Sequence, residues 1–411
     1  MTLAERLAWT GAVLPRYAGG SLVNVASSIL DAFEARREDD PPPVDGIDRE
    51  LLRSADAVVL VLVDGLGEAQ LQAAMQRGDV PGLGELHRSS SRLSLTSVFP
   101  SSTVCALGSL DTARAPGAHG LVAYQHWLEE FGCVAQMLRW GPADSTDSFV
   151  DPPWSAEPRG FVPIETVDAR LARAGVSRFL IQPASFKNSA LVRMLSPDST
   201  YVPYLATSSA AVATRRLLAT RPWGDGRAFA FVYWPTLDTI AHFFGPASEE
   251  HHAELRAIDR GLVAPLRETL GGRAVFLLTA DHGHAALDLT RAVRFEDHRE
   301  LLEMLRYPPA GEHRVALVRA REGARDDVRA YCAERFPDAV LADAEEALSL
   351  GLYGDPVSEA SRRRIGDLVL IATGASQYWY TFIQSELAAH RGSHGALSTD
   401  EMRVPLLMWS A

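Results

Sequence analysis

Ala57-Val58-Val59-Leu60-Val61-Leu62-Val63 runs straight into Asp64-Gly65-Leu66-Gly67, and the reading of this junction decides the fold. Seven apolar residues without alternation describe a strand buried on both faces, as the central strands of a parallel sheet are. The run stops on a carboxylate, and the glycine after it lets the backbone turn sharply. Two later runs have the same form. Ala228 to Trp234 stops before Pro235 and Asp238, and Ala274 to Leu278 ends in Thr279-Ala280-Asp281-His282. Helical patterns at 164–174, 208–219 and 249–270 separate and follow these runs. Such alternation predicts an α/β fold with a mostly parallel sheet flanked by helices on both faces.

The main core so defined takes in residues 1–290 and returns at 385–411. Between them, 291–384 reads as a smaller α+β insertion, with short β-like runs at 314–318, 367–372 and 377–383 around a polar helix near 322–336. The charged, proline-rich stretch at 34–46 reads as a surface linker.

Composition sets outer limits. The chain of 411 residues is 47% hydrophobic and 22% charged, which suits a globular protein with a sizeable core. A formal net charge of -12 argues against a polymeric nucleic acid as partner. An anionic substrate would need a local positive charge, which bound metal supplies. Cys105, Cys133 and Cys332 form no C-x-x-C and no paired framework, and the N-terminus lacks the basic start and cleavage site of a signal peptide. No apolar run approaches the ~20 residues that span a bilayer. These features predict a cytoplasmic protein without a membrane partner; oligomeric state is not legible.

Asp64, Asp238 and Asp281 all follow buried strands, at the edge where open α/β sheets bind ligands. Asp238 and His242 stand at i, i+4 and project from one face of a helical turn. Asp281-His282-Gly283-His284 places two ligand types in one loop, and His394 lies in the turn Gly392-Ser393-His394-Gly395. Singly, each has an ordinary alternative: a helix cap, a solvated helix face or a polar turn. Together they suit a metal site of mixed imidazole and carboxylate ligands, for which zinc is preferred and manganese comes second. His284 is a candidate for supporting a ligand rather than being one. His87, His126, His251, His252, His298, His313 and His390 lack such settings and read as surface residues. Gly65-Leu66-Gly67 is not a dinucleotide motif, because Gln70 occupies the place of the third glycine. A run of hydroxyls, Ser101-Ser102-Thr103, precedes a small-residue helical stretch and would present a hydroxyl and free amides to an anion.

Six pieces in order resemble the alkaline phosphatase superfamily and, within it, the nucleotide pyrophosphatase/phosphodiesterase branch. They are V-L-V-D-G at Asp64, P-x-x-T at Pro100 to Thr103, P-x-x-H-G at Pro116 to Gly120, D-x-x-x-H-x-x-G-P at Asp238 to Pro246, A-D-H-G at Ala280 to Gly283, and G-S-H-G at Gly392 to Gly395. The resemblance implies two zinc ions, one held by Asp238, His242 and His394 and the other by Asp64, Asp281 and His282. It implies Thr103 as nucleophile and metal contact; composition does not choose it over Ser101 or Ser102. The family's phosphodiesterases carry an Asn where this chain has Tyr124, so Tyr124 is the substrate-binding candidate and a departure from the pattern. Trp127 and Trp154 lie in segments that could border a pocket.

The implied activity is phosphodiester hydrolysis through a phospho-threonine, on a small phosphate ester with nucleotides among the candidates. Two dications against three aspartates leave about one net positive charge, which suits a singly charged diester. The alternatives are a phosphomonoesterase or phosphonate hydrolase of the same superfamily, and a non-catalytic, metal-stabilised binding module. A sulfatase does not fit, because Cys105 is followed by Ala-Leu-Gly rather than by x-P-x-R. A phosphoglycerate mutase would use similar metals with a serine and a much larger insertion.

Overall fold

Ala57–Val63 is buried at every position and lies in the middle of a seven-stranded sheet. The computed structural model describes residues 1–269, 273–383 and 390–410. Across this sheet the strands run Ser91–Thr96, Arg403–Ser410, Ala274–Thr279, Ala57–Val63, Ala228–Trp234, Ser177–Pro183 and Thr200–Tyr204. The last five in that order pair in parallel, and Arg403–Ser410 is antiparallel to both neighbours. Val63 pairs with Trp234 and Leu62 with Thr279, so the three strands end level and their following loops emerge at one edge. Helices flank the sheet; Leu22–Ala32, buried along its whole length, packs on Thr103–Thr112. The mostly parallel α/β architecture is thus present.

Two of the expected helices appear as Val167–Arg173 and Thr207–Thr220. The third is interrupted: Glu249–Ile258 widens into a π-turn at Asp259–Val263 before Ala264–Arg267. Pro265 has no N–H for the α-helical ladder, which accounts for a break here. Leu270, where the pattern was expected to end, lies outside the described residues. Asp259, inside the π-turn, is buried and caps a neighbouring helix by accepting from Gly82 N at 3.0 Å and Leu83 N at 2.6 Å.

A second seven-stranded sheet is antiparallel throughout, in the order Ala339–Asp343, Leu368–Ala372, Val315–Val318, Ala310–Gly311, Gln125–Leu128, Cys133–Gln136 and Gly141–Pro142. Residue 290 is therefore not a sheet boundary, since three of its strands come from 125–142. Those strands have only two to four residues each, too few for a period-two pattern to stand out. Val315 and Leu317 face one apolar cluster while Ala316 and Val318 face another, so the sheet is buried on both sides. Gln377–Trp379, expected beside these strands, instead pairs with Ala292–Arg294 in a separate two-stranded sheet. The expected insertion ends, and the core resumes, within 384–389, which lie outside the described residues, as does Ala411. No helix among the described residues is long and apolar enough to cross a membrane.

The two large sheets are joined by a fully buried ion pair. Arg314 beside the second sheet donates from Nη2 and Nε to Glu401 at 2.9 and 3.1 Å. Burial would raise the Glu401 carboxyl, but Arg314 holds it below its ordinary range. Glu401 also accepts from Ala396 N and Ser398 Oγ, at 2.9 and 2.6 Å, and so pins the loop after His394.

Candidate metal centre and active site

The edge where the parallel strands end gathers Asp64, Asp238, Asp281, His242, His282, His284, His394 and Thr103. Close backbone packing makes this possible. A Cβ on Gly67 would lie 2.8 Å from Gly283 Cα, so the Asp64 and Asp281 loops pass in contact only because both positions are glycine. A Cβ on Gly392 would lie 2.6 Å from Ala241 O, which brings the His394 turn onto the helix carrying Asp238 and His242.

Two groups of ligand atoms form. Those of Asp64, Asp281 and His282 lie within 4.8 Å of one another, as do those of Asp238, His282, His284 and His394. His242 belongs beside the second group: its Nε2 is 3.3 Å from Asp238 Oδ1 and 3.2 Å from His394 Nε2. The rings of His282 and His394 stack with centroids 3.5 Å apart, so the groups adjoin.

The histidines divide by how they are held. Nδ1 of His242 faces Gly392 O at 2.9 Å, Nδ1 of His394 faces Ser101 O at 2.8 Å, and Nδ1 of His282 faces Gly283 O at 3.2 Å. A proton on each Nδ1 satisfies those carbonyls and leaves each Nε2 lone pair turned into the centre, the arrangement that prepares imidazole for a metal. His284 is different. Its Nε2 contacts Asp238 Oδ1 at 2.8 Å and its Nδ1 has no partner among the described residues, so it braces the carboxylate.

The carboxylates carry the electrostatic tension of the site. Burial, followed by the charges of Asp281 and Asp238, pushes the Asp64 carboxyl well above its ordinary range. Tyr233 Oη donates to Asp64 Oδ2 and offsets part of this. Asp281 Oδ1 accepts from Gly65 N at 3.1 Å and from His282 N at 3.0 Å. Asp64 Oδ1 and Asp281 Oδ2 are buried and accept no hydrogen bond among the described residues. Burial opposes the charge on Asp238 too, but His242 and His284 hold its carboxyl well below the usual range. Burial, reinforced by His282, pushes the His394 imidazolium pKa well down, and burial takes His284 to about 4. Buried carboxylate oxygens without donors, beside imidazole nitrogens, fit divalent cations.

Thr103 opens the helix Thr103–Thr112, and its Oγ1 lies 3.2 Å from His282 Nε2. The neighbouring hydroxyls point elsewhere. Ser101 Oγ donates to Ala396 O at 2.8 Å, and the Ser102 hydroxyl meets Glu312. The geometry thus separates three hydroxyls that the sequence leaves equivalent. His119, from the P-x-x-H-G piece, is buried against Ser109 Oγ at 3.0 Å and braces this helix, outside both ligand groups.

A cavity of about 380 Å³ lies on one side of Thr103, lined by Tyr124, Glu312, His313, Trp379 and His390 among others. Tyr124 reaches it as expected, with its N–H donating to Glu312 Oε1 at 2.6 Å and its phenol accepting from Gln136 Nε2. Burial pushes the Glu312 carboxyl up to about 7. Trp127 and Trp154 do not line it: Trp127 stacks on Tyr307 at 4.3 Å, and Trp154 packs edge-on to Phe149 at 5.3 Å. The expectation that the remaining histidines are surface residues is corrected here. His126 and His251 are fully buried, the other five are half-buried, and His313 and His390 stack at 4.2 Å inside the cavity. Their sequence neighbours carry no signal of this, because the partners come from distant segments.

The family model of type I phosphodiesterase/nucleotide pyrophosphatase matches residues 58–397. No curated protein sequence matches the chain. Among solved structures, murine ectonucleotide pyrophosphatase/phosphodiesterase 5 is similar over 85% of this chain and 87% of that one, at 18% identity and a TM-score of 0.64. An inactive form of that murine protein in complex with AMP is similar at 17% identity, the same coverage and a TM-score of 0.64. Phosphonoacetate hydrolase from Sinorhizobium meliloti 1021, in complex with phosphonoacetate, is similar over 85% of this chain and 89% of that one, at 18% identity and a TM-score of 0.63.

Proposed function

Because the chain belongs to the type I phosphodiesterase/nucleotide pyrophosphatase family, we propose that it hydrolyses phosphodiesters through Thr103 with two metal ions, zinc by preference. One observation carries the reading: Thr103 Oγ1 stands 3.2 Å from His282 Nε2, at the junction of two groups of buried, inward-facing ligand atoms. Asp64, Asp281 and His282 would hold one ion, and Asp238, His242 and His394 the other. Bound there, the ions supply the positive charge that lets a threonine hydroxyl ionise near neutrality and that stabilises the leaving oxygen.

The chain's own residues do the rest. Thr103 Oγ1 attacks phosphorus, the phosphorus–oxygen bond to the ester group breaks, and the alcohol leaves with a proton from solvent. Water then attacks phosphorus, the bond to Thr103 Oγ1 breaks, the phosphate monoester leaves and a proton from the water restores the hydroxyl. Helix Thr103–Thr112 directs its N-terminal amides toward the transferred group, where they stabilise negative charge. His284 keeps Asp238 oriented, and Tyr233 does so for Asp64. With about one net positive charge at the centre, Val104-Cys105-Ala106 after Thr103 add no cation for a doubly charged monoester.

The test is kinetic and analytical. Zinc-reconstituted protein should carry two ions per chain by elemental analysis and turn over bis(p-nitrophenyl) phosphate with higher kcat/KM than p-nitrophenyl phosphate. A preference for the monoester would overturn the diesterase assignment. At most one ion per chain, with Asp238→Ala leaving that number unchanged, would overturn the two-metal assignment.

A further inference from the structure

A second cavity, of about 240 Å³, opens on the other side of Thr103 and differs sharply from the first. Thr103, Leu107 and Asp111 line it at i, i+4 and i+8 of one helix, a stripe on a single face. At 1.5 Å rise per residue, Asp111 lies roughly 12 Å along the helix axis from Thr103. Facing this stripe are Leu180 with Gln182 and Phe231 with Tyr233, alternate residues of two adjacent parallel strands. Leu191 and Leu195 of the short helix Ala190–Leu195 close the slot. Most of this wall is apolar. Asp111 stands at the far end from Thr103, its Oδ1 accepting from Ser196 Oγ at 3.0 Å, and the groups that act on it are Ser196 and Asp168 with no cation among the described residues.

A carboxyl in such a place has no structural task that its neighbours reveal. Among the described residues it caps no orphaned amide, and it accepts from a hydroxyl. Burial, with the nearby charge of Asp168 adding to it, pushes its pKa up to about 7. A cation brought into the slot would reverse that cost by pairing with the carboxylate.

We propose that this slot binds the ester group of the substrate, and that Asp111 selects a group with an apolar body ending in an amine. The inference rests on the phosphodiesterase reading, since it takes Thr103 as the point where phosphorus sits. An ammonium, with donors only, satisfies the carboxylate; a carboxylate or phosphate end would meet repulsion and an apolar wall. Ser196 positions the carboxyl by holding one oxygen, leaving the other to the ligand.

The experiment uses the zinc-loaded protein and two probes of equal length, 4-phenylbutylamine and 4-phenylbutanol. Calorimetry should show the amine binding at least about tenfold more tightly, as expected for a charge-assisted hydrogen bond. The amine should also inhibit bis(p-nitrophenyl) phosphate hydrolysis competitively. In Asp111→Asn, checked for fold by its thermal midpoint, the amine's advantage should vanish, and Ser196→Ala should reduce it. Equal affinity for the two probes in the unmodified protein overturns the proposal, as does an advantage that survives in Asp111→Asn. Binding and hydrolysis are read separately, so amine selectivity without turnover of any phosphate ester would sink the hydrolase reading and leave the pocket standing.

Discussion

The parallel sheet and the antiparallel sheet are equal in strand number and contribute to the site in different ways. Asp64, Asp238 and Asp281 all follow strands that point the same way and end level, so their loops converge without further design. Antiparallel neighbours send successive loops to opposite ends and cannot gather ligands in this manner. What the second sheet supplies is wall: Gln125 and Glu312 face the larger cavity, placed together by the pairing of Gly311 with Gln125. Chemistry and enclosure thus come from separate layers. Arg314 and Glu401 tie the layers together.

That division is most directly broken at Thr103. Thr103→Ala should lower kcat on bis(p-nitrophenyl) phosphate on the order of 10⁴-fold while keeping two metal ions. Ser101→Ala and Ser102→Ala should cost far less, because their hydroxyls serve Ala396 and Glu312. A dead Ser102→Ala beside an active Thr103→Ala would shift the nucleophile by one residue.

The joint between the sheets should show in stability rather than in chemistry. Glu401→Ala leaves Arg314 charged and fully buried, and should lower unfolding free energy by about 3–5 kcal/mol in urea titrations. Replacing both partners by apolar residues of similar size should recover most of that loss. An unchanged midpoint in Glu401→Ala would mean the layers hold together without the pair.

Acid should loosen the parallel-sheet side at the linker. Asp40, in the stretch expected to be a surface linker, is buried, and burial alone would raise its carboxyl. Hydrogen bonds from Arg170, Arg37 N and Arg114 outweigh this and hold it at about 2 against an ordinary 3.8. The folded pKa is depressed, so its contribution is present above about pH 4 and is lost as pH falls through about 2. The shift corresponds to about 2.5 kcal/mol. Asp40→Asn should lower stability at neutral pH and flatten the loss between pH 4 and 2, measured by denaturation across that range.

The smallest effect expected is at the wall. Gln125→Ala should change KM by about threefold and leave metal content at two ions, since Gln125 lines the cavity without touching the ligand groups. Loss of metal in that variant would show that the second sheet does more than enclose.

Much of this arrangement was legible in the chain itself. A buried run that ends on a carboxylate marks both a strand and the edge where its side chain emerges, and this happens at Asp64 and, a few residues on, at Asp281 and Asp238. The i, i+4 spacing of Asp238 and His242 is likewise a local fact, since helical geometry alone puts them on one face. These readings needed only periodicity and reach. Other features depend on what another segment brings across. His313 and His390 are set in the cavity by segments far from their own neighbours. Trp127 turned to Tyr307 instead of to substrate, and the short strands at 125–142 join the second sheet through the pairing of Gln125 with Gly311. Asp111 acquires its setting only where two strands and a second helix close a slot around it. Local spacing fixes which side chains share a face of one element; only tertiary packing decides what stands opposite, because burial, pairing and the cost of an isolated charge are set by atoms distant in sequence.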